Sequence, residues 1–198
     1  MIEPRLVLLA GANGAGKSTL AAKYVPELIA NGSFLNADEV ARELRPVDAE
    51  AARIAAGRVV VRRRNEFLSA RQSFGIETTL ASKTLLELVR RANKAGYLSR
   101  LIFLFTPSPE INEFRVKQRV MLGGHNIDTD TIRRRHAQGL RLLPEYVETC
   151  REVMILDART SSTREVLRKE SGKVLIADLG AADLVRESVR VVGGRPSF

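Results

Sequence analysis

The sequence predicts an α/β fold in which a parallel sheet of about five strands is flanked by helices and carries a helical lid. Short apolar runs alternate with longer amphipathic segments along the chain, which is typical of strands that helices cover on both faces. A glycine-rich turn also joins the first apolar run to the first helical segment. Because such sheets bind ligands beyond the carboxyl ends of their strands, polar residues at those ends become the candidate site.

The composition fits one folded enzyme domain that acts on an anionic ligand. The 198 residues are 44% hydrophobic and carry a formal net charge of +9, which suits nucleotides or nucleic acid. Only 5% are aromatic, and this favours a basic active-site cleft over a dedicated nucleic-acid surface. No apolar run reaches about 18 residues, and Cys150 is the single cysteine. We therefore expect a cytoplasmic enzyme with no membrane segment and no internal disulfide.

The apolar runs predict strands, and the amphipathic segments predict helices. The expected sheet strands are residues 5–10, 33–36, 74–78, 101–105 and 153–157, with a further pair near 166–168 and 174–177. The expected helices lie near 17–25, 38–44, 49–71, 83–95, 110–122, 131–142 and 181–189. We expect a single domain over residues 1–198, with a lid near 115–140 and a C-terminal extension near 160–198.

The turn after the first strand has the pattern G-x-x-x-x-G-K-[ST] of a phosphate-binding loop (P-loop), in the strand–loop–helix context that the pattern needs. Its backbone N–H groups would wrap a phosphate at the helix N-terminus. Lys17 would reach the β- and γ-phosphates, and Ser18 would place its hydroxyl on Mg²⁺. The residues expected to bind ATP are Gly11, Ala12, Asn13, Gly14, Ala15, Gly16, Lys17, Ser18 and Thr19. The fold is thus predicted to be P-loop kinase-like, and the alternative is a glycine-rich turn with a chance lysine.

Polar residues follow the second and third strands. Asp38 is either an N-cap of the next helix or a general base or outer-shell Mg²⁺ ligand, and its position alone leaves these roles open. Glu77 and Thr79 face the same way because side chains alternate along a strand, so the pair is suited to an acceptor hydroxyl or a sugar. The alternative for Thr79, or for Ser82, is to cap the following helix.

The fourth strand ends in Thr106-Pro107 and lacks the acidic residue of a Walker B motif. Metal would then be held by Ser18, phosphates, water and either Asp38 or Glu77. Many small-molecule kinases with this loop function without that residue, whereas mechanical ATPases do not. The absence therefore favours a kinase.

Two basic segments joined by Gly123 and Gly124 suggest the lid. Planar guanidinium groups suit phosphate oxygens, so arginines of such a lid can neutralise charge on the transferring phosphoryl group. The alternative is a solvated amphipathic hairpin.

Three other residues have structural rather than catalytic interpretations. Arg63 falls on the apolar face of the helix at 49–71 and is expected to form a buried ion pair or to line the cleft. His125 and His136 are expected to be a loop residue and a packing residue, since no further Cys or His completes a metal site.

Four segments, taken in order, resemble the zeta-toxin family of P-loop kinases, and within it the short bacterial branch. They are the loop at 11–18, F-L-N-A-D-E at 34–39, I-E-T-T-L at 76–80, and R-V-M-L-G-G-H at 119–125 through I-R-R-R at 132–135. The resemblance covers residues 5 to about 160. Only the P-loop is generic, and the ordered set is more specific.

This resemblance implies that ATP phosphorylates a hydroxyl of a sugar nucleotide such as UDP-N-acetylglucosamine, and that an antitoxin protein is a possible partner. It also implies roles for residues that match the family motifs. Lys17 would bind the phosphates, and Asp38 would be the general base. Glu77 and Thr79 would hold the sugar nucleotide. The lid arginines would be Arg119 with Arg134 or Arg135.

The sequence therefore predicts an ATP- and Mg²⁺-dependent small-molecule kinase. Two alternatives are kept open. The first is a polynucleotide or nucleoside 5′-hydroxyl kinase, which the positive charge encourages. The second is a module that binds ATP to control a partner without transferring phosphate.

Overall fold

The computed structural model of the chain describes residues 3–44 and 49–198, and these form an α/β fold. The strands are β1 (Arg5–Gly11), β2 (Phe34–Leu35), β3 (Phe74–Thr78), β4 (Leu98–Phe105), β5 (Glu152–Asp157), β6 (Arg164–Glu170) and β7 (Lys173–Ile176). The helices are α1 (Lys17–Tyr24), α2 (Pro26–Ala30), α3 (Ala37–Glu43), α4 (Ala49–Ser69), α5 (Lys83–Lys94), α6 (Pro109–Met121), α7 (Thr129–Thr149) and α8 (Leu179–Val191).

The strands form one sheet in the order β2-β3-β1-β4-β5-β6-β7. The first five strands pair in parallel, with β1 between β3 and β4. In this register Ala10 lies level with Thr78 on one side and Phe103 on the other. The end of β3, the loop after β1 and the end of β4 therefore meet at one edge of the sheet, which is where parallel α/β sheets bind ligands.

The core is divided between the two faces of this sheet. Along β1, Leu6 and Leu8 pack on one face, in a cluster that includes residues of α5, α7 and α8. Val7 and Leu9 pack on the other face with residues of α1 and α2. The alternation explains why β1 is apolar at every position rather than at every second one.

The predicted fold class is confirmed, and two elements extend it. The expected C-terminal pair forms β6 and β7, which pair antiparallel and bring the sheet to seven strands. The helix expected to end at residue 142 continues through Pro144 to Thr149. It continues because Leu143, Tyr146 and Val147 are buried in the core, so tertiary packing outweighs the helix-breaking tendency of proline.

The expectation that Arg63 lies on the apolar face of α4 is wrong, because Arg64 occupies that face instead. Arg63 is exposed, whereas the Nε of Arg64 is buried and has no hydrogen-bond partner among the described residues. On α4, Val60 and Phe67 pack against the core, and Arg64 lies one helical turn after Val60. The rotation of α4 about its axis thus selects Arg64, and burial lowers the pKa of its guanidinium.

Candidate active site

The glycine loop adopts a backbone that requires glycine at two positions. Gly11 has φ 145° and Gly14 has φ 81°. A Cβ at Gly11 would lie 2.7 Å from the carbonyl oxygen of Leu104, and one at Gly14 would lie 2.6 Å from that of Asn112. Both neighbours are backbone atoms that cannot rotate away. The loop is therefore held against β4 and α6, as a rigid phosphate cradle needs to be.

Lys17 lies at the centre of this loop and is almost fully buried. Its Nζ donates hydrogen bonds to the carbonyl oxygens of Gly11 at 2.9 Å and Ala12 at 3.0 Å. The same Nζ lies 3.8 Å from Oε1 of Glu77. Burial lowers the pKa of Lys17, and the Glu77 carboxylate opposes that shift. The ammonium group is thus fixed between the loop and the end of β3.

Glu77 occupies the position where a carboxylate can assist a metal. The Ser18 hydroxyl donates to its Oε2 at 3.0 Å, and the Asn36 amide donates to the same oxygen at 3.1 Å. Burial raises the pKa of Glu77, while Lys17 and Ser18 lower it. β3 lies directly beside β1, and this brings the Glu77 carboxylate to Ser18. The Ser18 hydroxyl and the Glu77 carboxylate are oxygen donors of the kind that Mg²⁺ prefers.

Asn36 has a second role, the helix cap that the sequence analysis gave as one alternative for Asp38. Its side chain accepts a hydrogen bond from the Asp38 N–H at 2.9 Å and caps α3. The alternative in which Asp38 is the N-cap is therefore wrong. The Asp38 carboxylate is left exposed in the first turn of α3, where it faces the site.

Two cavities meet at this edge of the sheet. One has a volume of about 610 Å³ and lies over the P-loop and the start of α1, where Thr19 lines it. The other, of about 420 Å³, lies between the end of β3 and α7, where Thr79 lines it. The residues that line both cavities are Asn13, Lys17, Asn36, Asp38 and Glu77. We refer to the first as the loop cavity and to the second as the α7 cavity.

The three predicted lid arginines divide between the cavities. Arg119 lines the loop cavity and donates to the carbonyl oxygen of His125 at 2.8 Å. Arg134 and Arg135 line the α7 cavity. Arg135 also donates to Oδ1 of Asn13 at 3.1 Å, which connects α7 directly to the P-loop. Cationic groups therefore approach the shared residues from two separate helices.

Sequence reasoning missed several residues that line the cavities. Asn36 was passed over because an N-cap signal explained the whole segment. Arg115 lines the loop cavity, and Gln138 lines the α7 cavity. Arg115 and Arg119 lie four residues apart on α6, so helical spacing from a predicted lid arginine could have identified Arg115. Gln138 carries no such signal.

The remaining sequence expectations have clear outcomes. His136 is buried, and its Nε2 lies 2.9 Å from the carbonyl oxygen of Thr106, so its packing role is confirmed. Burial lowers the pKa of His136. Ser82 lies at the N-cap position of α5, but no side-chain hydrogen bond caps that helix, so the capping alternative is wrong. Across residues 3–44 and 49–198, no helix combines the length and hydrophobicity needed to cross a bilayer.

Comparison with known proteins decides the family. The family model described as Zeta toxin matches residues 2–162. The chain belongs to the zeta toxin family. The match spans β1 to β5, including the P-loop, Asp38, Glu77 and the three predicted lid arginines, and ends before β6 begins at Arg164.

Relatives of this zeta toxin family member are distant in sequence. An uncharacterized protein of Haemophilus influenzae (strain ATCC 51907 / DSM 11121 / KW20 / Rd) is 26% identical over 138 residues, which are 69% of this chain and 95% of that protein. The AvrRxo1-ORF1:ORF2 complex with ATP has a chain that aligns with a TM-score of 0.75 at 15% identity, over 99% of this chain. This chain spans 65% of that AvrRxo1 chain, slightly less than two thirds.

A second similar structure comes from the PezAT chromosomal toxin-antitoxin system of Streptococcus pneumoniae. It aligns with a TM-score of 0.62 at 19% identity and covers 97% of this chain and 85% of that chain. At these identities the structures show a shared fold, and that fold is P-loop kinase-like.

Proposed function

We propose that this zeta toxin family member is an ATP-dependent kinase that transfers the γ-phosphate to a hydroxyl of a small molecule. The proposal rests mainly on one observation, which is that the loop cavity and the α7 cavity meet at Lys17, Asp38 and Glu77. A nucleotide in the first cavity and an acceptor in the second would have their reacting atoms side by side. The ATP in the AvrRxo1-ORF1:ORF2 complex supports the choice of nucleotide.

The loop cavity is proposed to hold ATP. Backbone N–H groups of residues 11–18 and the Lys17 ammonium would bind the phosphates. Ser18 and Glu77 would hold Mg²⁺, either directly or through its water ligands. Bound Mg²⁺ supplies positive charge that neutralises the phosphate oxygens and orients them. Thr19 lies one residue further along α1 and would contact the α-phosphate.

The transfer step requires a base, an acceptor and charge neutralisation. Asp38 would take the proton of the acceptor hydroxyl as that oxygen bonds to the γ-phosphorus and the bond to the bridging oxygen of ADP breaks. Arg119 from one cavity and Arg134 and Arg135 from the other would stabilise the charge on the transferring group. These arginines lie within residues 115–140, the proposed lid.

The lining of the α7 cavity indicates the chemistry of the acceptor. Among the described residues its lining contains no aromatic side chain. Besides the five residues that it shares with the loop cavity, its polar members are Thr78, Thr79, Ser82, Arg134, Arg135 and Gln138. Such a surface suits a polyhydroxylated anion more than a stacked base. A sugar nucleotide such as UDP-N-acetylglucosamine, with its sugar held by Glu77 and Thr79, satisfies this requirement.

An antitoxin protein is the proposed macromolecular partner. Family membership and the PezAT toxin-antitoxin structure support this partner. The arginines at the mouth of the two cavities give an acidic protein a complementary surface.

The test uses purified protein, labelled ATP and a panel of sugar nucleotides, nucleosides, antibiotics and RNA. We expect wild type to phosphorylate a sugar nucleotide and Lys17→Ala to form no product. Asp38→Asn should bind ATP but lose transfer by at least about 100-fold, the usual contribution of a general base. The matched control is Glu39→Gln, which removes a neighbouring exposed carboxylate that lines neither cavity.

Three results would contradict this proposal. Labelled RNA or a labelled nucleoside as the preferred product would favour the 5′-hydroxyl kinase. ATP binding without any labelled product would favour the nucleotide-controlled binding module. Normal transfer by Asp38→Asn would remove the general-base assignment.

A further inference from the structure

In the part of the chain that the structure describes, the sheet ends on β7, and this strand is exposed. All four of its residues are exposed, and the relative exposures of Val174, Leu175 and Ile176 are 40%, 61% and 37%. An apolar edge strand with open backbone groups favours pairing with another strand. We infer that β7 pairs antiparallel with β7 of a second copy of this chain, across a twofold axis at Leu175.

The hairpin geometry determines which backbone groups face the open edge. Ser171 and Gly172 both have positive φ, at 50° and 76°, as a two-residue hairpin turn requires. Glu170 and Lys173 close this turn, and in such a hairpin the closing pair exchanges backbone hydrogen bonds. Hydrogen-bonded and non-hydrogen-bonded pairs then alternate along β6 and β7. The Ala177 N–H donates to the Val166 carbonyl oxygen at 2.8 Å, in phase with this alternation.

The residues between these bonded positions therefore point their backbone groups outward. Val174 and Ile176 are two apart, and each directs its N–H and C=O away from β6. A twofold axis at Leu175 sets Val174 opposite the partner subunit's Ile176. In that register the outward donors and acceptors of both copies meet, and none is left unpaired.

The side chains are self-complementary in the same register. On one face, Val174 packs against the partner subunit's Ile176, and β-branched pairs of this kind stabilise sheets. On the other face, Leu175 packs against the partner subunit's Leu175. A twofold contact needs a strand whose side chains match when it is paired with itself in reverse, and Val174, Leu175 and Ile176 have this near-palindromic order. Binding of an unrelated peptide would not depend on such an order.

The pairing brings no two like charges face to face on β7. The chain carries a net charge of +9, but Lys173 is the one charged residue of β7. The register sets Lys173 opposite the partner subunit's Ala177, so no two cations face each other directly. In the sheet order, β4, β5 and β6 separate β7 from the P-loop strand β1, so both cavities stay open in the dimer.

Cysteine cross-linking tests this register. In a non-hydrogen-bonded antiparallel pair the two Cα atoms lie about 4.5 Å apart, within the range of about 4.4 to 6.8 Å that disulfides accept. We expect Leu175→Cys to form a disulfide-linked dimer under mild oxidation. The matched control is Leu179→Cys, which is 69% exposed but does not face itself in this register. The native Cys150 is fully buried and should not cross-link.

A second variant tests the association without a cross-link. One pair of short strands makes a small interface, so we expect wild type to dimerise weakly. Analytical ultracentrifugation should show a dimer fraction that rises with protein concentration. Leu175→Lys places two cations face to face and should abolish the dimer, while its circular dichroism spectrum and phosphotransfer match wild type.

Three outcomes would overturn the inference. The first is that Leu175→Cys cross-links no faster than Leu179→Cys. The second is that wild type stays monomeric at every concentration. The third is that the dimer survives Leu175→Lys, which would assign it to another surface.

Discussion

At the scale of single residues, the site concentrates charge where little solvent can screen it. Lys17 and Glu77 are both largely buried and lie 3.8 Å apart, and Ser18 bonds to the same carboxylate. Burial raises the pKa of Glu77 and lowers that of Lys17, so each charge depends on the other. Removing one member should therefore have a larger effect than an exposed ion pair would suggest.

Glu77→Gln tests whether this carboxylate serves the metal or the acceptor. If Glu77 assists Mg²⁺, the variant should bind Mg²⁺–ATP about 10-fold or more weakly, while its affinity for metal-free ATP stays equal or rises because a negative charge is gone. Isothermal titration calorimetry with and without Mg²⁺ measures both affinities. Glu39→Gln is the matched control.

Two results would contradict the metal role of Glu77. An equal loss of affinity for both forms of ATP would indicate a general disturbance of the loop. Unchanged ATP binding with a raised KM for the acceptor would assign Glu77 to the acceptor alone.

At the scale of elements, α7 is positioned by a close approach to the end of β3. A Cβ at Gly139 would lie 2.6 Å from the carbonyl oxygen of Thr79. On the same helix, Arg135 bonds to Asn13 of the P-loop and His136 contacts the backbone of Thr106. α7 is therefore in contact with the rest of the site at three places, which favours a packed helix over a solvated hairpin.

Gly139→Ala should push α7 away from β3. Alanine improves helix propensity by about 1 kcal/mol, but forcing a methyl group against a backbone oxygen costs about 1–3 kcal/mol, so we expect a lower Tm and a raised KM for the acceptor. The control is Gly57→Ala in α4, where a Cβ would meet no atom of the described residues within 4 Å. That variant should gain about 0.5–1 kcal/mol in the free energy of unfolding. A higher Tm for Gly139→Ala than for Gly57→Ala would contradict the proposed close approach of α7 to β3.

At the scale of the whole molecule, His136 couples stability to pH. Burial lowers its pKa, so below the ordinary value of 6.5 the unfolded chain takes up a proton that the folded protein does not. The free energy of unfolding should therefore fall as the pH drops below 6.5. Urea denaturation at about pH 7.5 and about pH 5.5 measures this slope.

Histidine variants isolate this contribution from that of the carboxylates. His136→Gln should reduce the loss of stability between the two pH values, whereas His125→Gln should leave it unchanged, since His125 is exposed. A loss of the same size in wild type and His136→Gln would show that His136 does not contribute.

Much of the fold follows from features that are local in the sequence. The P-loop glycines, the apolar runs and the helix starts each depend on a few consecutive residues, and the predicted strands and most helices lie where the structure has them. The prediction was weakest where packing decides the outcome. Examples are the continuation of α7 through Pro144 and the choice of Arg64 over Arg63 on α4.

The sequence by itself determined that a P-loop opens this chain and that polar groups follow its strands, because both depend on short-range backbone and side-chain chemistry. Only the tertiary structure decided that Glu77 rather than Asp38 meets Ser18, and that Asn36 rather than Asp38 caps α3. The physical reason is that sheet order and helix rotation arise from burying side chains distant in sequence. Ser18 and Glu77, for example, are 59 residues apart.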